Sequence, residues 1–141
     1  MQRSSWHSPR GVVIAAAALM IAQVALAHHS FVMFDRTRQL SRRATVKELE
    51  WTNPHCWLHV WIADDRGGVR EWRLEAGPPG MLTRTGWSSH LVKPGEPVTV
   101  TFYPMKDGSA AGDIIKVVLP DGRVMGPGGA PGPPPAKSAH N

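Results

Sequence analysis

Hydrophobic positions between residues 40 and 125 alternate with polar ones at a period of two, which indicates β-strands. The clearest run is HCWLHVWIA at residues 55–63. Successive side chains of a strand point to opposite faces, so one face carries Cys56, Leu58, Val60 and Ile62, and the other carries His55, Trp57, His59 and Trp61. We expect the first face in a core and the second on the outside.

Shorter runs with the same period lie on both sides of this strand. ATVKELEW (44–51) precedes it, and VREWRLEA (69–76), VTVTFY (98–103) and IIKVVL (114–119) follow. GPPGMLTRTGW (77–87) breaks the period: its prolines suit a first helical turn, and Gly86 suits a C-terminal cap. This order predicts an all-β fold, a small five-stranded OB-like partly open barrel with one short helix between strands 3 and 4. An unrelated five-stranded sandwich is the alternative.

The two ends of the chain differ from this domain in composition. Arg3 and Arg10 precede the apolar stretch GVVIAAAALMIAQVALA (11–27), which ends in small residues as a signal peptide does. The stretch has 17 residues, fewer than the roughly 20 of a transmembrane helix, so we expect cleavage after Ala27, an exported protein and no stable membrane span. We expect an arm at 28–39, the barrel at 40–125 and a disordered Pro/Gly-rich tail at 126–141.

Charge and motifs exclude several classes of function. Removal of Arg3 and Arg10 lowers the net charge from +5 to +3 without leaving a basic cluster, so we expect no nucleic-acid partner. Cys56 is the single cysteine and lies on the apolar face, where we expect it in the core. The chain contains no G-x-S-x-G, P-loop, GxGxxG or CxxC motif. We therefore predict a non-enzymatic binding or accessory module whose partner is a periplasmic protein or a small ligand.

Cleavage after Ala27 would make His28 the first residue and so create a possible metal site. The new α-amine titrates near 8 and can chelate a metal together with the imidazole of His28, while His29 offers a competing mode through its own imidazole. Nitrogen-only tetragonal sets suit Cu(II). His55 follows Asn53-Pro54 and can supply a further nitrogen. The predicted copper site is therefore His28, His29 and His55, with no other cofactor; a plain polar terminus and a turn-capping His55 are the alternatives.

The outer face of the strand at residues 55–63 supports a second hypothesis. Trp57, His59 and Trp61 form a row of the kind that stacks against peptides, sugars or bases. They predict an interaction module for a protein, peptide or glycan. The alternatives are that the arm or the KDG loop covers the two tryptophans, and that His59 is a plain surface residue.

Several segments together resemble one family. AHHSFVMFD, VKELEWTNPHCWLHV, EWRLEAGPPGMLTRTGW and LVKPGEPVTVTFYPMKDGSAAGDI are similar to DUF6152, small exported proteins of Gram-negative bacteria with no assigned activity. The resemblance spans nearly all of the chain between the leader and the tail. It implies a periplasmic address and a compact β-rich domain, and it supplies no catalytic residues.

Overall fold

The computed structural model describes residues 33–132. They form seven strands and one short helix: β1 Leu40–Glu50, β2 Trp57–Ala63, β3 Val69–Glu75, α1 Pro79–Arg84, β4 Pro97–Pro104, β5 Ala111–Val118, β6 Val124–Gly126 and β7 Gly129–Gly132. Within this part of the chain no helix is long and apolar enough to cross a membrane.

The first five strands close into a barrel. The sheet order is β3-β2-β1-β4-β5-β6-β7, with antiparallel neighbours throughout. A parallel pairing of β3 with β5, from Arg73 opposite Ala111 to Glu75 opposite Asp113, joins the two sides. The small five-stranded OB-like barrel with its helix between β3 and β4 is confirmed. The β3–β5 pairing closes it, where the sequence predicted a partly open barrel.

The barrel core consists of the residues that the alternation assigned to it. Cys56, Leu58 and Val60 have no exposed surface, and Ile62 is 4% exposed. The inward positions of β4 and the residues around α1 are buried with them: Val98, Val100, Phe102, Leu82 and Trp87. Burial of the Cys56 thiol raises its pKa, as expected for a core residue. Since apolar burial is the main favourable term in folding, this inner face accounts for the register of the strands.

The barrel includes chain that the sequence assigned to its two extensions. Phe34, in the predicted arm, is buried and forms a β-bridge with Met105, and the compact unit that contains the barrel begins at Phe34. At the other end, β7 pairs with β6, so Gly129–Gly132 are part of the sheet and not a disordered tail. Backbone pairing needs no apolar alternation, which explains why the pattern missed β7. The predicted signal peptide, the histidine pair and residues 133–141 lie outside the described residues.

Candidate functional site

The loop between β1 and β2 carries His55 to the place where β3 and β5 close the barrel. Next to it, the Cys56 N–H donates to the carbonyl of Gly77 at 3.0 Å, and the Ala76 N–H donates to the carbonyl of Cys56 at 2.9 Å. These bonds extend the pairing of β2 and β3 beyond the ends of both strands. They fix the backbone directly after His55 and Glu75, whose side chains meet.

His55 and Glu75 form a short contact. The His55 Nδ1 lies 2.6 Å from Glu75 Oε1, and the two side chains are 31% and 11% exposed. An ionised carboxylate can only accept, so Nδ1 donates to it, and in a neutral imidazole Nε2 is then the nitrogen with the lone pair. Within residues 33–132, Nε2 has no hydrogen-bond partner. The carboxylate therefore orients an imidazole whose second nitrogen is free to bind.

A second carboxylate and an arginine complete this group, which we call the closure cluster: His55, Glu75, Asp113 and Arg36. Glu75 and Asp113 are neighbours across the parallel β3–β5 pairing, and burial raises the pKa of both. The Arg36 Nη2 lies 2.8 Å from Asp113 Oδ2, and its guanidinium lies 4.8 Å from the centre of the Tyr103 ring. An arginine and a histidine thus face two carboxylates that the barrel closure partly removes from water.

Of the three predicted metal ligands, one lies within the described residues and two lie outside them. His55 is in the closure cluster, bonded to Glu75 and not to Asn53, after an Asn53–Pro54 peptide bond that is cis. His28 and His29 lie outside the described residues. Residues 33–132 contain no group of three or more His, Cys, Asp or Glu side chains arranged to hold a metal ion. The copper site stays a prediction.

Trp57, His59 and Trp61 lie on the outside of the barrel, opposite the core face of β2, as predicted; we call them the tryptophan face. Trp61 is 40% exposed. The Arg73 guanidinium lies 4.1 Å from the Trp57 ring centre, and the Lys47 Nζ lies 5.5 Å from that of Trp61. Each ring thus has a cation lying over it. Cation–π pairs of this kind contribute about 0.5–1 kcal/mol each at exposed sites.

His59 lies between two carboxylates in the middle of the tryptophan face. Its Nδ1 is 3.1 Å from Glu71 Oε1, and its Nε2 is 3.3 Å from Glu50 Oε2. Lys47 also bonds Glu71 at 2.8 Å, and the bonds from Lys47 and His59 lower the pKa of Glu71. Only an imidazolium can donate from both nitrogens at once. The side chain of His59 is 13% exposed, so it bridges two glutamates and is not a plain surface residue.

Sequence reasoning missed Glu75, Asp113 and Arg36. The alternation of β3 puts Glu75 on its outer face, where a charged residue is expected in solvent. The pairing with β5 and the contact with His55 cover it, leaving 8% of the residue exposed. The available signal was the position of Glu75 and Asp113 on strands 3 and 5, which neighbour each other in an OB-like barrel.

One of three comparisons with known proteins gave a match, and it agrees with the sequence resemblance. Neither the curated proteins nor the solved structures gave a match. A family model, described as a family of unknown function, matches residues 16–114. This span covers more than half of the chain and includes the closure cluster and the tryptophan face, and the chain therefore belongs to the DUF6152 family.

Proposed function

We propose that this protein is an exported, non-enzymatic binding module of the periplasm that captures Cu(II). The donors are the α-amine and imidazole of His28, formed when a signal peptidase cuts after Ala27, and the Nε2 of His55. His29 supplies a further or competing imidazole. The role that follows from this chemistry is copper capture or delivery.

The observation that carries the proposal is the 2.6 Å contact between His55 Nδ1 and Glu75 Oε1. Metal-binding histidines usually donate their second ring nitrogen to a carboxylate, which fixes the tautomer and raises the basicity of the ligating nitrogen. His55 has this arrangement already, with Nε2 free among the described residues. The side chain is also partly exposed, so an ion from solvent can reach it.

The route of the chain before the barrel also supports the proposal. The Asp35 N–H donates to the Pro104 carbonyl at 2.8 Å, and Arg36 pairs with Asp113, the β5 neighbour of Glu75. The chain thus enters the barrel beside the closure cluster. Phe34 follows His29 by five positions, and a fully extended chain of that length spans at most roughly 18 Å. The proposal requires the histidine pair to reach His55 within that length.

A Cu(II) titration followed by EPR tests the proposal, on protein exported to the periplasm and checked by intact mass. One matched control is the same domain with one extra residue before His28, which removes the terminal amine from its place beside the imidazole. A second is His90→Gln, which changes an exposed histidine elsewhere.

We expect one tight copper with nitrogen ligands in the exported protein and its loss in the extended form. His55→Gln should weaken binding at least tenfold, and Glu75→Gln by roughly 10–100-fold, the usual cost of removing such an orienting partner. His90→Gln should bind as wild type does. Equal copper affinity of the exported and extended forms would refute the amine as a ligand. A copper affinity of His55→Gln equal to that of wild type would remove His55 from the site.

The tryptophan face favours a second candidate, an interaction module for a protein, peptide or glycan. Trp61 is 40% exposed and Val69, on the same outer face, is 66% exposed, so this face offers apolar surface to a partner. Trp57→Ala should then lose a partner from a periplasmic pull-down while its copper affinity stays unchanged. Recovery of the same proteins by wild type and Trp57→Ala would count against this candidate.

A further inference from the structure

Two arginines occupy core-facing positions at the end of the barrel away from His55. Arg42 pairs with Val100 across β1 and β4, and Arg70 pairs with Ile62 across β3 and β2. Directly opposed residues of a sheet project to the same face, and Val100 and Ile62 are in the core. Both arginines are therefore on the inner face, where alternation otherwise places apolar residues, and both remain exposed because the strands end there.

These arginines line a cavity of about 230 Å³, which we call the mouth pocket. Its other walls are the Trp72 indole, which packs on Phe102 with ring centres 5.2 Å apart, and the side chain of Ile62. Ala63, Asp64 and Asp65 are the remaining lining residues. The volume is below the roughly 300–1,000 Å³ of pockets for drug-sized ligands, so the pocket suits a small molecule.

Among residues 33–132, the guanidinium groups in this pocket have no carboxylate partner in a salt bridge. Arg42 donates to the neighbouring Ser41 carbonyl at 3.0 Å, and neither Arg42 nor Arg70 forms a salt bridge with any residue in the range 33–132. Asp64 also lines the pocket, but its Oδ1 accepts the N–H groups of Arg66 and Gly68, both at 2.8 Å, which holds this carboxylate in the turn. Two guanidinium groups beside an indole thus have no ion-pair partner among the described residues.

We propose that the mouth pocket binds a small planar monocarboxylate. The planar guanidinium fork matches a carboxylate and can bind it through two parallel hydrogen bonds. The flat apolar body of the ligand then packs on Trp72 and Ile62. Asp64 and Asp65 at the rim repel a second negative charge, which selects a monoanion over a dianion. This site lies at the other end of β2 from His55 and does not depend on copper.

Benzoate is the probe for this site, titrated by calorimetry into the exported, chelator-treated protein at constant ionic strength. Constant ionic strength is needed because exposed arginines attract any anion, and salt screens that attraction. Acetate tests the apolar contact, inorganic phosphate tests the preference for a single charge, and benzylammonium tests the sign of the charge. Arg66→Gln is the matched variant, since it removes one exposed arginine from the adjacent turn without touching the pocket.

We expect saturable one-to-one binding of benzoate, weaker binding of acetate and phosphate, and none of benzylammonium. Arg42→Gln and Arg70→Gln should each raise the Kd at least tenfold, while Arg66→Gln should change it less than twofold. Absence of saturable benzoate binding at millimolar concentration, or equal losses in all three variants, would overturn the proposal. Phosphate or acetate binding as tightly as benzoate would overturn the assignment of a planar monocarboxylate. None of these outcomes bears on copper, because the metal is removed.

Discussion

Replacing Phe34 with alanine tests whether the chain before β1 is part of the barrel core. Phe34 is 3% exposed and bridges Met105, although the sequence placed it in an arm outside the domain. Truncation of a buried phenylalanine costs about 3–5 kcal/mol from lost transfer free energy and the cavity that remains. Small domains have a total stability of about 5–15 kcal/mol, so the variant should lose a large part of it.

The preceding residue provides a matched control. Met33 is 46% exposed, and surface substitutions usually change the free energy of unfolding by no more than about 0.5 kcal/mol. Both variants should be exported, checked by intact mass and unfolded in urea, with tryptophan fluorescence as the signal. A lower midpoint at an unchanged m-value reports lost stability and not a different denatured state. If Phe34→Ala lies within about 1 kcal/mol of Met33→Ala, below the cost of a core truncation, the inclusion of Phe34 in the core is refuted.

Two further predictions concern the β3–β5 closure. A Cβ on Gly112 would clash with the Phe102 ring and lie 2.7 Å from the Tyr103 carbonyl oxygen, so Gly112→Ala should lower the unfolding free energy by about 1–3 kcal/mol. Gly80→Ala is the control, because a Cβ at Gly80 in α1 meets open space and should not lower it. Equal urea midpoints for the two variants would contradict this prediction. Burial raises the pKa of Glu75, so wild type should lose stability as the pH rises from 4.5 through the raised value, by about 1.4 kcal/mol for each pKa unit. Glu75→Gln should escape this loss and gain on wild type over that range. Glu71→Gln should instead lose stability relative to wild type as the pH rises, since the pKa of Glu71 is lowered and its stabilisation is present above pH 4.5 and lost below. Parallel curves of unfolding free energy against pH for wild type and Glu75→Gln would refute the raised pKa of Glu75.

The sequence predicted the fold well because a strand with one buried face leaves a local pattern. Cys56, Leu58, Val60 and Ile62 alternate without interruption, and all four are buried. The limits of the strands were less accurate: β1 begins at Leu40, before the predicted Ala44, and β5 begins at Ala111, before the predicted Ile114. The additional residues, 40–43 in β1 and 111–113 in β5, do not alternate between apolar and polar. Backbone hydrogen bonds hold them in the sheet, so the pattern of side chains does not reveal them.

The candidate sites were predicted only where they depend on a single strand. Trp57, His59 and Trp61 share a face of β2, so their common position follows from the period of two. The partners of His55 could not be predicted in this way, since Glu75 and Asp113 are 38 residues apart in the chain and meet only through the β3–β5 pairing. The inward position of Arg42 and Arg70 likewise depends on the register of two strand pairs.

Barrel closure links the stability of this fold to its proposed metal site. The parallel pairing brings Glu75 and Asp113 together and partly buries both, an arrangement that costs free energy unless the two carboxylates are paired and hydrogen-bonded. The compensating groups come from outside the strands, His55 from a loop and Arg36 from the chain before β1. Loss of the closure would separate Glu75 from Asp113 and free His55 to reorient. Copper affinity at His55 should therefore fall in any variant that opens the β3–β5 pairing, even when every proposed ligand is intact.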